Sequence, residues 1–170
     1  MFGYVCDDNL RTRLNAAGLN YWDVYLQEIN EQLGIRGQRL SLPELENINV
    51  LQRLKILMVG CQSGENLSAS ARNTLEHWVQ NGGILIGFGL QNLDKVFGIR
   101  CKSTIRQAPD DYTVSGYFDL REHRLTRAVH SPLAPEQKLV VVSDIRCVAL
   151  NDAEEIGRLY DADGKRARGD

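Results

Sequence analysis

A chain of 170 residues, 43% hydrophobic and 25% charged, suits one globular domain with a full apolar core and excludes a disordered chain. Its formal charge of -2 argues against nucleic-acid binding, which rests on clustered Lys and Arg. No apolar run approaches the roughly 20 residues of a membrane span and no basic leader precedes the first strand-like segment, so no membrane contact and a cytoplasmic location are expected.

"FGYVCDD" is a short apolar run ending in two aspartates, the pattern of a first strand with polar residues at its carboxyl end. "NYWDVYLQEINEQLGI" places Trp22, Leu26, Ile29 and Leu33 at helical spacing, with Gly34 as a stop. "QRLSL" is long enough for a second strand, and "PELENINVLQRL" opens a helix with Pro43. "KILMVGC" is an unbroken apolar run, as in a strand covered on both faces. In "LSASARNTLEHWVQNGG", Ser68 is the expected N-cap, Leu75, Trp78 and Val79 form the inner face, and Gly82 closes the helix, which leaves His77 toward solvent. "ILIGFG" is then a fourth, buried strand.

Strand and helix alternate up to this point, which calls for a parallel sheet with helices on both faces. From Cys101 onward the long helical periods vanish, and "KSTIRQ", "YTVSGYFDL", "KLVVVSDI" and "CVALN" are expected as strands. The chain thus divides into an α/β core over 1–100 and a β-rich extension over 101–170, within a single domain. At the end, "EIGRLYDADGKRARGD" predicts a strand bearing Ile156, Leu159 and Tyr160 that turns at Asp163 and Gly164.

Cys6, Cys61, Cys101 and Cys147 are far apart and form no CxxC pair, so neither a zinc site nor a dithiol redox motif is expected, and no metal or cofactor is assigned. Three groups of residues are candidates for ligand binding. The first is Asp7, Asp8 and Asn9 after the first strand, where carboxylates can hold a hydroxyl-rich ligand or a hard cation; the plainer alternative is an Asx turn or helix cap. Arg11 and Arg13 nearby could add anion contacts. The second is the loop of Cys61, Ser63 and Glu65, at the carboxyl edge where open α/β sheets bind ligands. A structural or ligand-lining role for Cys61 takes precedence over a catalytic one, because no base accompanies it and no nucleophile-elbow pattern fits. The third is the turn of Gly87 and Gly89, which occupies the place of a nucleophile or phosphate cradle in many α/β enzymes. Its glycines carry no reactive atom, and Asn92 breaks a G-x-G-x-x-G match. Asp110, Asp111 and Tyr112 are read as a solvated turn.

Through "LKILMVG", "LSASARNTLEHWVQNGGILIGFG" and "LDKVFGI" the first three quarters of the chain resemble the class I glutamine amidotransferase-like superfamily. Within it, the resemblance is to the non-catalytic branch represented by the β-galactosidase trimerisation domain and to the ThuA-like proteins of sugar metabolism. "REHRLTRAVHSPL" is similar to the ThuA-like "HPIT" segment, with His123, Leu125 and Thr126 matching and Arg124 in place of the proline, which adds His123 to the candidates. The resemblance implies a flavodoxin-like, three-layer α/β/α fold with a mostly parallel sheet ordered 2-1-3-4-5. Catalytic members place a cysteine where this chain has Gly87, and none of His77, His123 and His130 begins the His-x-Glu pair they need. No catalytic residue is therefore assigned. An assembly or accessory module of a larger carbohydrate-active protein is expected, with self-association or a neighbouring domain as its partner. The alternative is a ThuA-like enzyme or binding protein for a carbohydrate or other small polar ligand, using Asp7, Asp8, Cys61 and His123. The resemblance also implies a strand returning along the Ile156–Tyr160 segment, either absent by nature or truncated at Asp170, so that an open edge is left for association.

Overall fold

In a computed structural model, the described residues are 1–108, 112–126 and 138–167; the expected turn at Asp110 and Asp111, and His130, lie outside them. The chain forms two units, Met1–Val96 and Phe97–Asp170. The division falls within a few residues of the boundary expected at residue 100, but each half is a unit in its own right.

In the first unit, β1 (Phe2–Val5), β2 (Gln38–Leu40), β3 (Ile56–Val59) and β4 (Ile84–Gly87) form a parallel sheet in the order β2-β1-β3-β4. The helix expected between β3 and β4 is α5 (Ala69–Gln80), and its crossover returns the chain parallel, with Leu57 opposite Leu85 and Met58 opposite Ile86. Ser68 caps it through its side chain, and Gly82 leaves it at a φ of 90°. "PELENINVLQRL" is not one helix. A 3-10 turn over Pro43–Glu46 is followed by α3 (Ile48–Leu51), which Asn47 caps.

Two elements differ from expectation. "DNLRTRLNA" forms α1 (Asp8–Ala16), missed because Leu10 and Leu14 are the only large apolar residues there. In α2 (Val24–Gln32) the buried side chains are Leu26 and Asn30, while Trp22, Ile29 and Leu33 of the expected inner stripe are exposed, as is Tyr25. The buried Asn30 amide is half satisfied: its Nδ2 donates to Leu26 O at 2.6 Å, while its Oδ1 accepts no hydrogen bond among the described residues. With Asn30 inward, the helix is rotated away from the stripe that apolar spacing suggested.

One face of the sheet, carrying Tyr4, Cys6 and Met58, packs with Leu10, Tyr21 and Leu26. Residues of opposite parity, Val5, Leu57 and Val59, are fully buried on the other face. Strand β4 is not the buried strand expected, because Ile84 and Ile86 remain exposed.

The second unit is antiparallel. β5 (Ile99–Ile105) pairs with β8 (Ile145–Leu150), and β6 (Gly116–Leu120) lies between β7 (Leu139–Val141) and β9 (Gly157–Asp161). After β9, Gly164 turns the chain at a φ of 76°, and a return begins: Arg166 bridges Tyr160, and Ala167 N donates to Leu159 O at 2.9 Å. The far edge of β9 is thus partly covered where an open one was expected. No described helix is long and apolar enough to cross a membrane.

Candidate functional site

The carboxyl edge of the parallel sheet gathers Asp7, Asp8, Cys61, Ser63, Gly87 and Gly89, as the strand pattern implies. Asp7 is buried and N-caps α1, its Oδ1 accepting from Leu10 N at 2.7 Å. Its Oδ2 accepts from Leu42 N at 2.8 Å, tying the loop after β2 to the end of β1. Asp8 is exposed and pairs with Arg39, whose guanidinium also donates to Cys6 O. The hydrogen bond to Asp8 raises the Arg39 pKa above its ordinary value. Asn9 is exposed on the first turn of α1. Arg13 does not face an anion site; its Nη2 donates to Asn66 Oδ1 at 2.5 Å. The cap reading of the Asp7 cluster is therefore the structural one.

Sequence reasoning missed Asp23, the second buried carboxylate of this edge. Asp23 stands at the N-cap of α2 but makes no side-chain cap there. It reaches instead across to α4 (Cys61–Glu65), accepting from Ser63 N at 2.7 Å and from Gln62 N at 3.4 Å. Gly60 makes that approach possible, since a Cβ there would lie 2.1 Å from Asp23 Oδ1. "WDV" signals a helix start in the sequence, but nothing local marks a cap 40 residues away.

Tyr21 lies between these groups. Its phenol oxygen accepts from Asp7 N at 2.9 Å, and burial pushes its pKa up to about 12. Ser63 is fully buried, and its Oγ completes no hydrogen bond of good geometry. It is close enough to the Tyr21 phenol to favour the phenolate, an effect that burial outweighs. Cys61 is half-buried. Burial first and the charge of Asp23 second raise its pKa, so the thiol form dominates at neutral pH. Glu65 is exposed, and its Oε1 accepts from Gln91 Nε2 at 3.3 Å.

Gly87 ends β4 opposite Val59, and Gly89 forms the turn at a φ of 65°. A Cβ on Gly89 would lie 3.6 Å from Cys61 Cβ, so there is space for one, but the backbone conformation disfavours any side chain. Beyond the turn, Leu90 and Leu93 are buried and anchor it. Glycine here serves a reversal pinned by leucines, with no functional group presented.

His123 belongs to the second unit. Its Nδ1 accepts from Leu125 N at 3.1 Å, which leaves Nε2–H to donate to Glu154 Oε2 at 2.9 Å. That hydrogen bond holds the Glu154 carboxyl below its ordinary pKa. Alongside, Glu155 meets Arg121 at 2.6 Å and Arg166 at 2.9 Å. Some burial opposes ionisation of Glu155, but the two guanidinium groups prevail and lower its pKa. A shallow depression of about 540 Å³ is lined by Arg121, Glu122, His123, Arg124, Glu154 and Glu155. None of its three glutamates was among the sequence candidates. Among the described residues, no three His, Cys, Asp or Glu side chains are grouped to hold a metal ion.

Comparison of the chain with protein-family models, with curated proteins and with solved structures gives no match.

Proposed function

We propose that the chain is a non-catalytic, class I glutamine amidotransferase-like domain that serves as an assembly or accessory module of a larger, cytoplasmic carbohydrate-active protein. The observation that carries this reading is how the polar groups at the carboxyl edge are used. Asp7 and Asp23 each accept from two main-chain N–H groups, Cys61 is held as a thiol, and the turn beyond β4 presents only glycine. A nucleophile needs a base within hydrogen-bonding reach and a depressed pKa; among the described residues no hydrogen-bonded base accompanies Cys61, and its pKa is raised. The parallel order β2-β1-β3-β4 suits the first four strands of a flavodoxin-like layering; the next strand of the chain, β5, pairs with β8 in a separate sheet, and no described strand pairs with the outer edge of β4.

The test is ammonia release from glutamine. The module reading expects none above background. Release abolished by Cys61→Ala would make Cys61 a catalyst, and release that survives the change would reveal another nucleophile; either overturns the reading. A second reading, binding of a small polar ligand such as a carbohydrate, gains support from the depression around His123 rather than from Asp7, Asp8 and Cys61. Titration with monosaccharides, followed by amide chemical shifts at Arg121–Arg124 and Glu154–Glu155, tests it directly.

A further inference from the structure

The two terminal strands of the parallel sheet, β2 and β4, present different edges. The other terminal strand, β2, is three residues long and carries the exposed Arg39, a charge of the kind that discourages edge pairing. Strand β4 reads Ile84-Leu85-Ile86-Gly87, with no charge and no proline. Its alternation is fixed by two hydrogen bonds toward the β3 side, Ile84 N to Lys55 O and Phe88 N to Val59 O. The main-chain groups of Leu85 and Gly87 therefore point to the outer edge.

The face above this edge is apolar as well. Asn30 stands over Gly37 at the entry to β2, where a Cβ would lie 3.1 Å from Asn30 Oδ1. Tyr25 and Ile29 lie on the opposite flank of α2, and Trp22 stands just before the helix. Gln62, just beyond β3, holds Trp22 in place, its Oε1 accepting from Trp22 N at 2.6 Å. Trp22 and Tyr25 stack with ring centroids 6.0 Å apart. Ile84, Ile86 and Phe88 of the β4 segment, and Trp22, Tyr25 and Ile29, are all between 39% and 51% exposed.

We propose that this surface joins two copies of the chain by antiparallel pairing of β4 with β4 about a two-fold axis at Ile86. The inference rests on the assembly reading and names its surface and partner. Leu85 of one copy would exchange both main-chain hydrogen bonds with Gly87 of the other, the hydrogen-bonded pair of an antiparallel ladder. Ile86 meets Ile86 across the axis, and Ile84 meets Phe88, β-branched and aromatic pairs that stabilise adjacent strands. A second copy suits this edge because one uncharged strand supplies both halves of a self-complementary contact. A specific contact of this kind should bury about 1,000 Å² or more in total.

Sedimentation of the full chain, with circular dichroism to verify folding, tests the proposal. The wild type should sediment at twice its 19.1 kDa mass. Ile86→Lys, which sets two ammonium groups against each other on the axis, should sediment as a folded monomer. With Cys61 and Cys101 changed to serine, Ile86→Cys should cross-link to its own copy on oxidation, and Phe88→Cys should not, because Phe88 faces Ile84. A wild-type monomer at high micromolar concentration overturns the proposal. So does a dimer that Ile86→Lys leaves intact and Ile86→Cys fails to cross-link, but that outcome leaves assembly through another surface standing.

Discussion

In the unit Met1–Val96 the carboxylates that organise the structure, Asp7 and Asp23, are buried and accept from main-chain N–H groups. In the unit Phe97–Asp170, Asp144, Glu154 and Glu155 lie nearer the surface and meet Arg106, His123, Arg121 and Arg166. The first arrangement is hard to replace, because a buried N–H left without an acceptor bears the full cost of desolvation. The second is cheap to alter, since exposed ion pairs contribute about 0–1 kcal/mol and weaken in salt. The two units should therefore respond differently to mutation and at opposite ends of the pH scale.

The largest effect is expected at Asp7. Asp7→Ala removes the α1 cap and the tether to Leu42 together and should destabilise the first unit by about 4 kcal/mol. Trp22 and Trp78, the only two tryptophans in the sequence, both lie in this unit, so their fluorescence in urea reports its unfolding.

Asp23→Ala should cost about 3 kcal/mol by the same probe, through the N–H groups of Ser63 and Gln62 that it strands. Gly60→Ala should be similarly harmful alone, because its Cβ would collide with the Asp23 carboxylate. In the Asp23→Ala background it should cost much less. Additive costs would contradict the close pairing of these two residues.

An alkaline titration separates the units next. Tyr21 is pushed from 10.0 up to about 12, so the unfolded chain releases this proton before the folded one does. Stability should fall as pH rises from 10 toward 12, by roughly 2 kcal/mol. Tyr21→Phe should abolish that share of the loss, as judged by the pH dependence of the urea midpoint.

The smallest effect belongs to the second unit. Asp144 is held low chiefly by the Gln107 N–H, despite some burial, and then by Arg106; Glu155 is held low by Arg166 and Arg121 against some burial. Stability from a depressed carboxylate is complete above its unfolded pKa and is lost as pH falls through the folded value. The ordinary values are 3.8 for Asp144 and 4.5 for Glu155, so the loss should begin below about pH 4.5. Glu155→Gln should change stability by less than about 1 kcal/mol and remove part of the acid sensitivity, measured by amide exchange in β6 and β9.

What the sequence made legible was local. Ser68, Leu75, Trp78 and Gly82 delimit α5 within one stretch, and Asp7 lies three residues before the Leu10 N–H that it caps. Features set by distant residues stayed hidden. Apolar spacing in α2 picks out Trp22, Leu26, Ile29 and Leu33, and that Leu26 turns inward beside the polar Asn30 while Trp22 and Ile29 stay exposed depends on what lies beneath the helix. The link from Asp23 to α4 and the pairing of His123 with Glu154 span 40 and 31 residues, beyond any local pattern. Exposure of β4 depends on which strand or helix lies beside it, and "ILIG" reads alike whether one face or two are covered.

The central claim, that the carboxyl edge is a structural junction and not a reacting site, is tested most directly by the alkylation rate of Cys61 as a function of pH, in a chain where Cys101 is serine. Cys6 and Cys147 are buried and should not compete. With burial and Asp23 both raising its pKa, Cys61 should react slowly at neutral pH, with a midpoint above the 9.0 of an ordinary thiol. A midpoint near or below neutrality, with rapid modification at pH 7, would mean an activated thiolate and would contradict the account.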